Sequence, residues 1–395
     1  MYIKTIKYSD SNLFINTLHN YNNYNIGGAV EQNDMPETYA KSDIASALES
    51  VGIDPTNLRH NKTKHEWICN PGLENIEVIN DASNITILYK GSKLDVTLDV
   101  IGMSNETIAA MKQRGGGISD VFKVVLNIAP VILFVLKIPP PHDDEIDKIK
   151  LIESRVGSKT SVCNLIEYLV KDGIILLDYK DGTLADFNAK KLGEDRLSLR
   201  VSLDIISQFI ESLICLKKIN LAYIDIKPEN VYYLYVGDKI KIYLGDIGSM
   251  CDLGNTDATY VSNQLRRLAV NPGITHLHES ETCGSDHLMR TGIAHLLMKL
   301  TCNVYPMSIF GKTAMRMIEY QMGRIKTAPQ SVKEQQLQLH VGINVIEPIK
   351  EYTGKSELPE ELTTIILDFV TNKTGTLQNA HEQILAFSEI IKENV

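Results

Sequence analysis

The segment LAYIDIKPENVYYL, residues 221–234, sets Asp225, Lys227 and Asn230 on a turn between two apolar runs, and YLGDIGS places Asp246 between glycines shortly afterwards. Carboxylates and an amide are hard oxygen donors of the kind magnesium takes, and a lysine beside them is a cation for a phosphate. Phosphoryl transfer needs this combination. Cations offset the charge that develops on the moving group, and a carboxylate accepts or orients the proton of the attacking hydroxyl. The competing explanation is a solvated turn with a chance acid, which predicts no further matching parts in the chain.

The chain has 395 residues, 44% of them hydrophobic and 23% charged, which is an ordinary globular balance. A formal charge of −9 argues against a general nucleic-acid binder, which is usually basic. Six cysteines occur without a C-x-x-C pair, a pattern that predicts reduced thiols in a reducing compartment. The start, MYIKTIKYSDSNLF, lacks the apolar core of a secretory signal. The longest apolar run, APVILFVLKI, is too short to span a bilayer and reads as a buried strand. The expectation is a cytoplasmic protein without a transmembrane segment, or one delivered into a host cell without a cleaved signal.

The elements that must position the turn follow from patterning. Residues 1–110 read as a small α+β unit, with a helix within 36–54 and strands at IEVIN, NITILYK and KLDVTLDVIG. RGGGISD is a sharp break. VFKVVLN and VILFVLKI form a strand pair, PPPHDDE stops the second strand, and a helix follows over Glu145–Arg155. VCNLIEYLV and GIILLDY read as two more strands. Beyond them the chain is mostly helical: a strong amphipathic helix at SLRVSLDIISQFIESLICLKKI, then helices at 287–300, 313–322, 360–371 and 378–392. Strands first and helices later make an α+β chain of two subdomains of different class, with a cleft expected between them.

YIDIKPEN, residues 223–230, resembles the H-R-D-L-K-P-E-N catalytic loop of the eukaryotic-type protein kinase superfamily, and Asp246-Ile247-Gly248 resembles its D-F-G. The resemblance implies that Asp225 is the catalytic base, that Lys227 steadies the γ-phosphate, and that Asn230 and Asp246 bind magnesium, with manganese as a substitute. Gly115, Gly116 and Gly117 fit the glycine-rich loop, although Asp120 replaces its third glycine; taken alone they fit a flexible linker equally well. FVLKI matches V-A-I-K, so Lys137 would hold the α- and β-phosphates, the alternative being a surface lysine with a buried stem. Its helix partner is expected to be Glu153, with Glu145 as the alternative closer to the prolines. At the hinge Leu177 would be the gatekeeper, and the Asp178 carbonyl and Lys180 amide would face adenine. Asp286, or His287 instead, would brace the catalytic-loop backbone, followed by Gly292. The likeness covers residues 110–395 and implies a two-lobed fold: an extension over 1–110, a β-rich lobe over 111–180 and a helical lobe over 181–395.

Departures from the family pattern carry information too. Ile224 stands where an arginine would receive the phosphate of an activation loop, so control by loop phosphorylation is not expected. Tyr223 replaces the usual histidine. Asn271-Pro272-Gly273 lacks the glutamate of A-P-E, and TNKTGTLQNA lacks the late arginine that would pair with it. The resemblance therefore implies a divergent kinase that uses ATP and magnesium to phosphorylate a protein hydroxyl, Ser or Thr, and that resembles bacterial effector kinases of the Legionella type acting on host proteins. Alternatives are a pseudokinase scaffold, a small-molecule kinase, or an enzyme that transfers AMP. Two weaker features remain. RHNKTKHEW, residues 59–67, is a basic patch that fits either a solvated loop or a phosphorylated activator such as an inositol phosphate or phosphoinositide, and Arg266 and Arg267 carry the same suggestion. His276, His278, Cys283 and His287 match no metal spacing.

Overall fold

Alternating apolar residues and tight turns with left-handed backbone organise the first part of the chain into hairpins. The computed structural model describes residues 40–62, 64–81, 84–101, 119–140, 145–156, 162–186, 198–255, 284–303 and 346–393. These fall into two compact units. The first runs to Ile146 and takes in Glu167–Tyr179; the second takes in Asp147–Ile166 and continues from Lys180.

In the first unit, helix α1 (Lys41–Ser50) buries Ile44 and Leu48 and stops before Gly52, whose φ of 77° an L side chain rarely adopts. Strands β1 (Leu58–Asn61) and β2 (Glu66–Cys69) form an antiparallel hairpin where a solvated loop was one expectation for the RHNKTKHEW patch. Strands β3 (Ile76–Asp81), β4 (Asn84–Tyr89) and β5 (Ser92–Lys93) make a separate sheet, turned at Lys90 and Gly91. Strands β6 (Val96–Val100), β7 (Asp120–Leu126) and β8 (Val131–Ile138) form an antiparallel meander. Strands β9 (Tyr168–Lys171) and β10 (Ile174–Leu177) are joined by Asp172-Gly173, both at positive φ, the two-residue turn whose twist suits a hairpin.

The third strand of the meander, β8, is the centre of a seven-stranded sheet. One edge pairs with β7, and the other is shared. There β2 runs parallel at Val131 and Ile132, while β10 runs antiparallel at Val135, Leu136 and Lys137. Buried side chains of β8, among them Val131, Leu133, Phe134 and Leu136, join α1, β3 and β4 in one core. Strands from both sides of residue 110 thus share a single sheet. The segment expected as an extension and the segment expected as the first lobe are built together, because a four-residue hairpin is marginal alone and gains the open edge of β8.

In the second unit, helix α2 (Glu145–Val156) contributes all but its first two residues. Short strand β11 (Gly182–Thr183) pairs with β13 below. Helix α3 (Leu199–Lys218) is capped by the Ser198 hydroxyl, which accepts from Val201 N, and buries a stripe from Leu203 to Leu216. Strand β12 (Leu221–Tyr223), the hairpin β13 (Val231–Val236) and β14 (Lys239–Leu244), and β15 (Met250–Asp252) follow. Helix α4 (Asp286–Cys302) is buried on nearly every side. Helices α5 (Ile346–Lys355), α6 (Glu360–Thr371) and α7 (Leu377–Glu393) complete the unit, with α3 packed against α4 and α7, and α6 against α4. Helix α5 was not anticipated, and the helix expected at 313–322 lies outside the described residues.

Two expectations are corrected here. VCNLIEYLV is not one strand: Cys163 and Asn164 have φ of 59° and 53°, which breaks the extended backbone, and pairing into a ladder of several residues resumes only at Tyr168. The thiols are not all reduced either. Cys163 is joined to Cys215 of α3, with Cα atoms 5.3 Å apart. A separation of 52 residues hides such a pair from a reading of spacing. Among the described residues, Cys69 and Cys302 are free cysteines. No described helix is long and apolar enough to cross a membrane.

Candidate functional site

A hairpin register brings the chemistry-bearing residues of the second unit together. Val231 at the start of β13 pairs with Leu244 at the end of β14, and one step outward Gly245 N donates to Asn230 O at 2.9 Å. Residues before β13 and after β14 therefore meet. A second ladder, Tyr223 to Met250 in β12 and β15, closes the other side. The segments 224–230 and 245–249 are held between these two ladders. Pro228 starts a short 3-10 turn that ends at Asn230.

Inside that frame Lys227 Nζ lies 2.5 Å from Asp225 Oδ2. The Asn230 amide nitrogen donates to Asp225 O at 3.0 Å, to Asp225 Oδ2 at 3.1 Å and, at 3.4 Å, to Asp246 Oδ2. The structure thus brings Asp225, Lys227, Asn230 and Asp246 into one cluster. Burial pulls the Lys227 ammonium toward its neutral form. Asp225, by charge and hydrogen bond, followed by Asp246 and Glu229, outweighs it, and the net shift is upward. Asp246 has φ 47° and ψ 60°, a left-handed conformation that is costly for a non-glycine residue. Its neighbour Gly245 has no room for a side chain, since a Cβ there would lie 2.1 Å from the Tyr232 ring.

Tyr223 is fully buried and has a defined task. Its hydroxyl donates to Gly245 O at 2.6 Å and lies 3.3 Å from Asn230 O, so it ties both segments of the cluster from beneath. Ile224 and Ile226 are buried as well. Gly292 of α4 lets that helix approach the loop, because a Cβ at Gly292 would come within 2.7 Å of Ile226 Cβ. Among the described residues, Asp286 bonds to α3 and to the start of α7 and not to the loop. It pairs with Lys217 of α3 and accepts from Leu377 N at 3.0 Å, tying α3, α4 and α7, while His287 Nε2 meets Val370 O at 2.8 Å. A pair that the sequence did not suggest joins α4 to α6: Nη2 of the buried Arg290 lies 2.5 Å from Asp368 Oδ2. Burial lowers the arginine's pKa, against the opposing pull of Asp368 and Asp286.

Helix α2 is anchored within the second unit at two points. Lys148 Nζ donates to the Gly248 carbonyl of the Asp-Ile-Gly segment. Arg155 Nη2 lies 2.5 Å from Asp252 Oδ1, and its Nη1 donates to Asn220 O at 2.7 Å. Neither contact had a signal in the sequence beyond a basic residue on an amphipathic helix.

In the first unit, Lys137 near the end of β8 pairs with Glu145, Nζ to Oε1, at 2.6 Å. The partner is therefore Glu145 and not the expected Glu153. These two acids stand about 12 Å apart along the helix axis, so one lysine reaches only one of them. The first residue of the helix, not the ninth, is thus the one beside Lys137. At the expected hinge, Asp178 N donates to Glu167 O at 3.1 Å, and the Lys180 ammonium of the second unit lies 4.0 Å over the Tyr243 ring. Asp120 opens β7 opposite Ile138. Gly115, Gly116, Gly117, Asn271-Pro272-Gly273, Arg266, Arg267, His276, His278 and Cys283 lie outside the described residues.

The oxygens at hand fit magnesium. Asp246 and the Asn230 amide, with Asp225 adjacent, are hard donors, and this ion keeps waters and substrate phosphates in its shell and needs only one or two protein carboxylates. Among the described residues no group of three or more His, Cys, Asp or Glu forms a ready cage. No protein-family model matches the chain, and a comparison with curated proteins finds no match.

Proposed function

We propose that this protein is a kinase-type phosphotransferase that moves the γ-phosphate of ATP to a protein hydroxyl, Ser or Thr. The observation that carries the reading is the convergence of Asp225, Lys227, Asn230 and Asp246 between two strand ladders. A second, independent support is the third-strand lysine with its helix glutamate, Lys137 and Glu145, a pair that protein kinases require.

Each residue has a role that its chemistry allows. Asp225 orients the attacking hydroxyl and takes its proton. Lys227, kept protonated by its acidic neighbours, offsets charge on the transferred phosphate. Lys137 binds phosphate oxygens, and Glu145 holds its ammonium in place. Asp246 and Asn230 would hold magnesium, which neutralises phosphate charge when bound. Tyr223 fixes the backbone from which these groups project.

The test uses ATP labelled at the γ-position and, separately, at the α-position, with a mixture of Ser- and Thr-containing peptides. Transfer of the γ-label alone, abolished by Asp246→Ala, is the expected result. Transfer of the α-label would replace this reading with nucleotidyl transfer, and tight Mg-ATP binding without any transfer would replace it with a scaffold.

A further inference from the structure

The basic hairpin β1–β2 makes contacts that the proposed chemistry does not use. Arg59 Nη2 donates to the Tyr179 carbonyl at 3.1 Å. Glu66 bridges two groups: its Oε1 takes Lys123 Nζ at 2.8 Å, and its Oε2 accepts from the Tyr179 hydroxyl at 2.9 Å. The Tyr179 ring packs with Ile68 of β2 and Ile132 of β8. Carbonyl, ring and hydroxyl of one residue are thus all engaged by, or packed on, the same hairpin.

The sheet explains why Tyr179 lies there. β10 and β2 share one edge of β8, at Val135–Lys137 and at Val131–Ile132. An edge accepts one strand at a time, so β2 blocks any extension of β10 and turns the chain out of the sheet after Leu177. The next peptide carries the Asp178 carbonyl. It is bracketed on both sides, by Asp178 N bonded to Glu167 O at 3.1 Å and by Tyr179 O bonded to Arg59.

We infer that the β1–β2 hairpin is a clamp on the hinge, in which Arg59 and Glu66 are positioning residues that orient the Asp178–Tyr179 peptide for the adenine ring of the nucleotide. This rests on the nucleotide reading above. It also gives the basic patch a use other than capture of a phosphorylated activator, because Arg59 is committed to a backbone carbonyl. A peptide free to rotate would present its carbonyl to adenine only part of the time, and apparent affinity falls with the populated fraction.

Titration of the full chain with adenosine, with Mg-ATP and with magnesium tripolyphosphate tests the clamp. Loss of one hydrogen bond to a charged group predicts adenosine and Mg-ATP binding about tenfold weaker in Arg59→Ala, with tripolyphosphate binding unchanged. Arg59→Lys recovers part of the loss. Tyr179→Phe and Glu66→Gln, which preserve size, weaken adenosine by about threefold and carry the test if Arg59→Ala does not fold. Adenosine affinity within twofold of wild type in all folded variants makes the hairpin structural only and overturns the inference, while leaving the transfer reading intact. Clamp-dependent adenosine binding without γ-phosphate transfer overturns that reading and leaves the clamp standing. A wild-type chain that binds no adenosine overturns the clamp outright.

Discussion

Lys137 with Glu145 and Asp225 with its neighbours are both ionic arrangements on or beside short strands, yet they balance charge differently. The first sets a cation and an anion 2.6 Å apart, with side-chain exposures of 15% and 6%. The second sets Lys227 against Asp225, Asp246 and Glu229, an excess of negative charge held close by two ladders. A close pair of opposite charges is suited to holding a side chain in position. The acid-rich cluster instead contains a residue, Asp246, held in a left-handed conformation that costs energy.

The largest expected effect breaks the second arrangement. Asp225→Asn keeps the shape and removes the base, so phosphoryl transfer falls by about 10²–10⁴-fold while Mg-ATP still binds, measured by single-turnover release of γ-label. Breaking the first arrangement is next and tells in stability. Glu145→Ala takes away the 2.6 Å partner of a half-buried ammonium and costs about 1.5–3 kcal/mol in urea unfolding, whereas Glu153→Ala stays within about 0.5 kcal/mol. Equal effects of the two substitutions would contradict the pairing.

A smaller effect probes how the cluster is supported. Gly292→Ala pushes a methyl into Ile226 and costs about 1–3 kcal/mol, with a fall in kcat because the pressed residue adjoins Asp225. Ile226→Ala in the same chain returns part of both losses, a coupling that a double-mutant cycle reads directly. The smallest effect is in pH. The Lys227 pKa is raised in the folded chain, so its contribution to stability is complete below the ordinary lysine pKa and is lost as pH rises through the folded value. Mg-ATP affinity should therefore keep its lysine-dependent part throughout the neutral range, with the alkaline limb above the ordinary lysine range. In Asp225→Asn that limb moves down toward it.

Much of the local structure was legible. Asp172-Gly173 marks its hairpin, Ser198 marks the start of α3, and the spacing of acid, lysine and asparagine around Pro228 marks a turn with chemistry. What escaped was non-local. The parallel match of β2 to β8 depends on which sheet edge is left open, and nothing in EWIC announces it. VCNLIEYLV has the composition of a strand, but Cys163 is bonded to Cys215 and Asn164 donates to Ser212 Oγ at 2.9 Å, and those distant bonds go with a left-handed bend. Arg290 and Asp368 looked like two unrelated helix charges until α4 and α6 packed.

The sequence by itself determined which side chains could do the chemistry and that they sit on turns between apolar runs, since residue type and short-range turn preference are local properties. That Asn230 and Asp246 meet came from the structure: a hairpin of two six-residue strands joins the segments that carry them, where the sequence pattern suggested mostly helix. Only the tertiary structure decided that Lys137 takes Glu145, that Tyr223 ties the two segments of the acid cluster, and that an N-terminal hairpin grips Tyr179. Those contacts depend on where whole elements pack. Packing is set by the summed burial of many side chains, and no short stretch of sequence carries that sum.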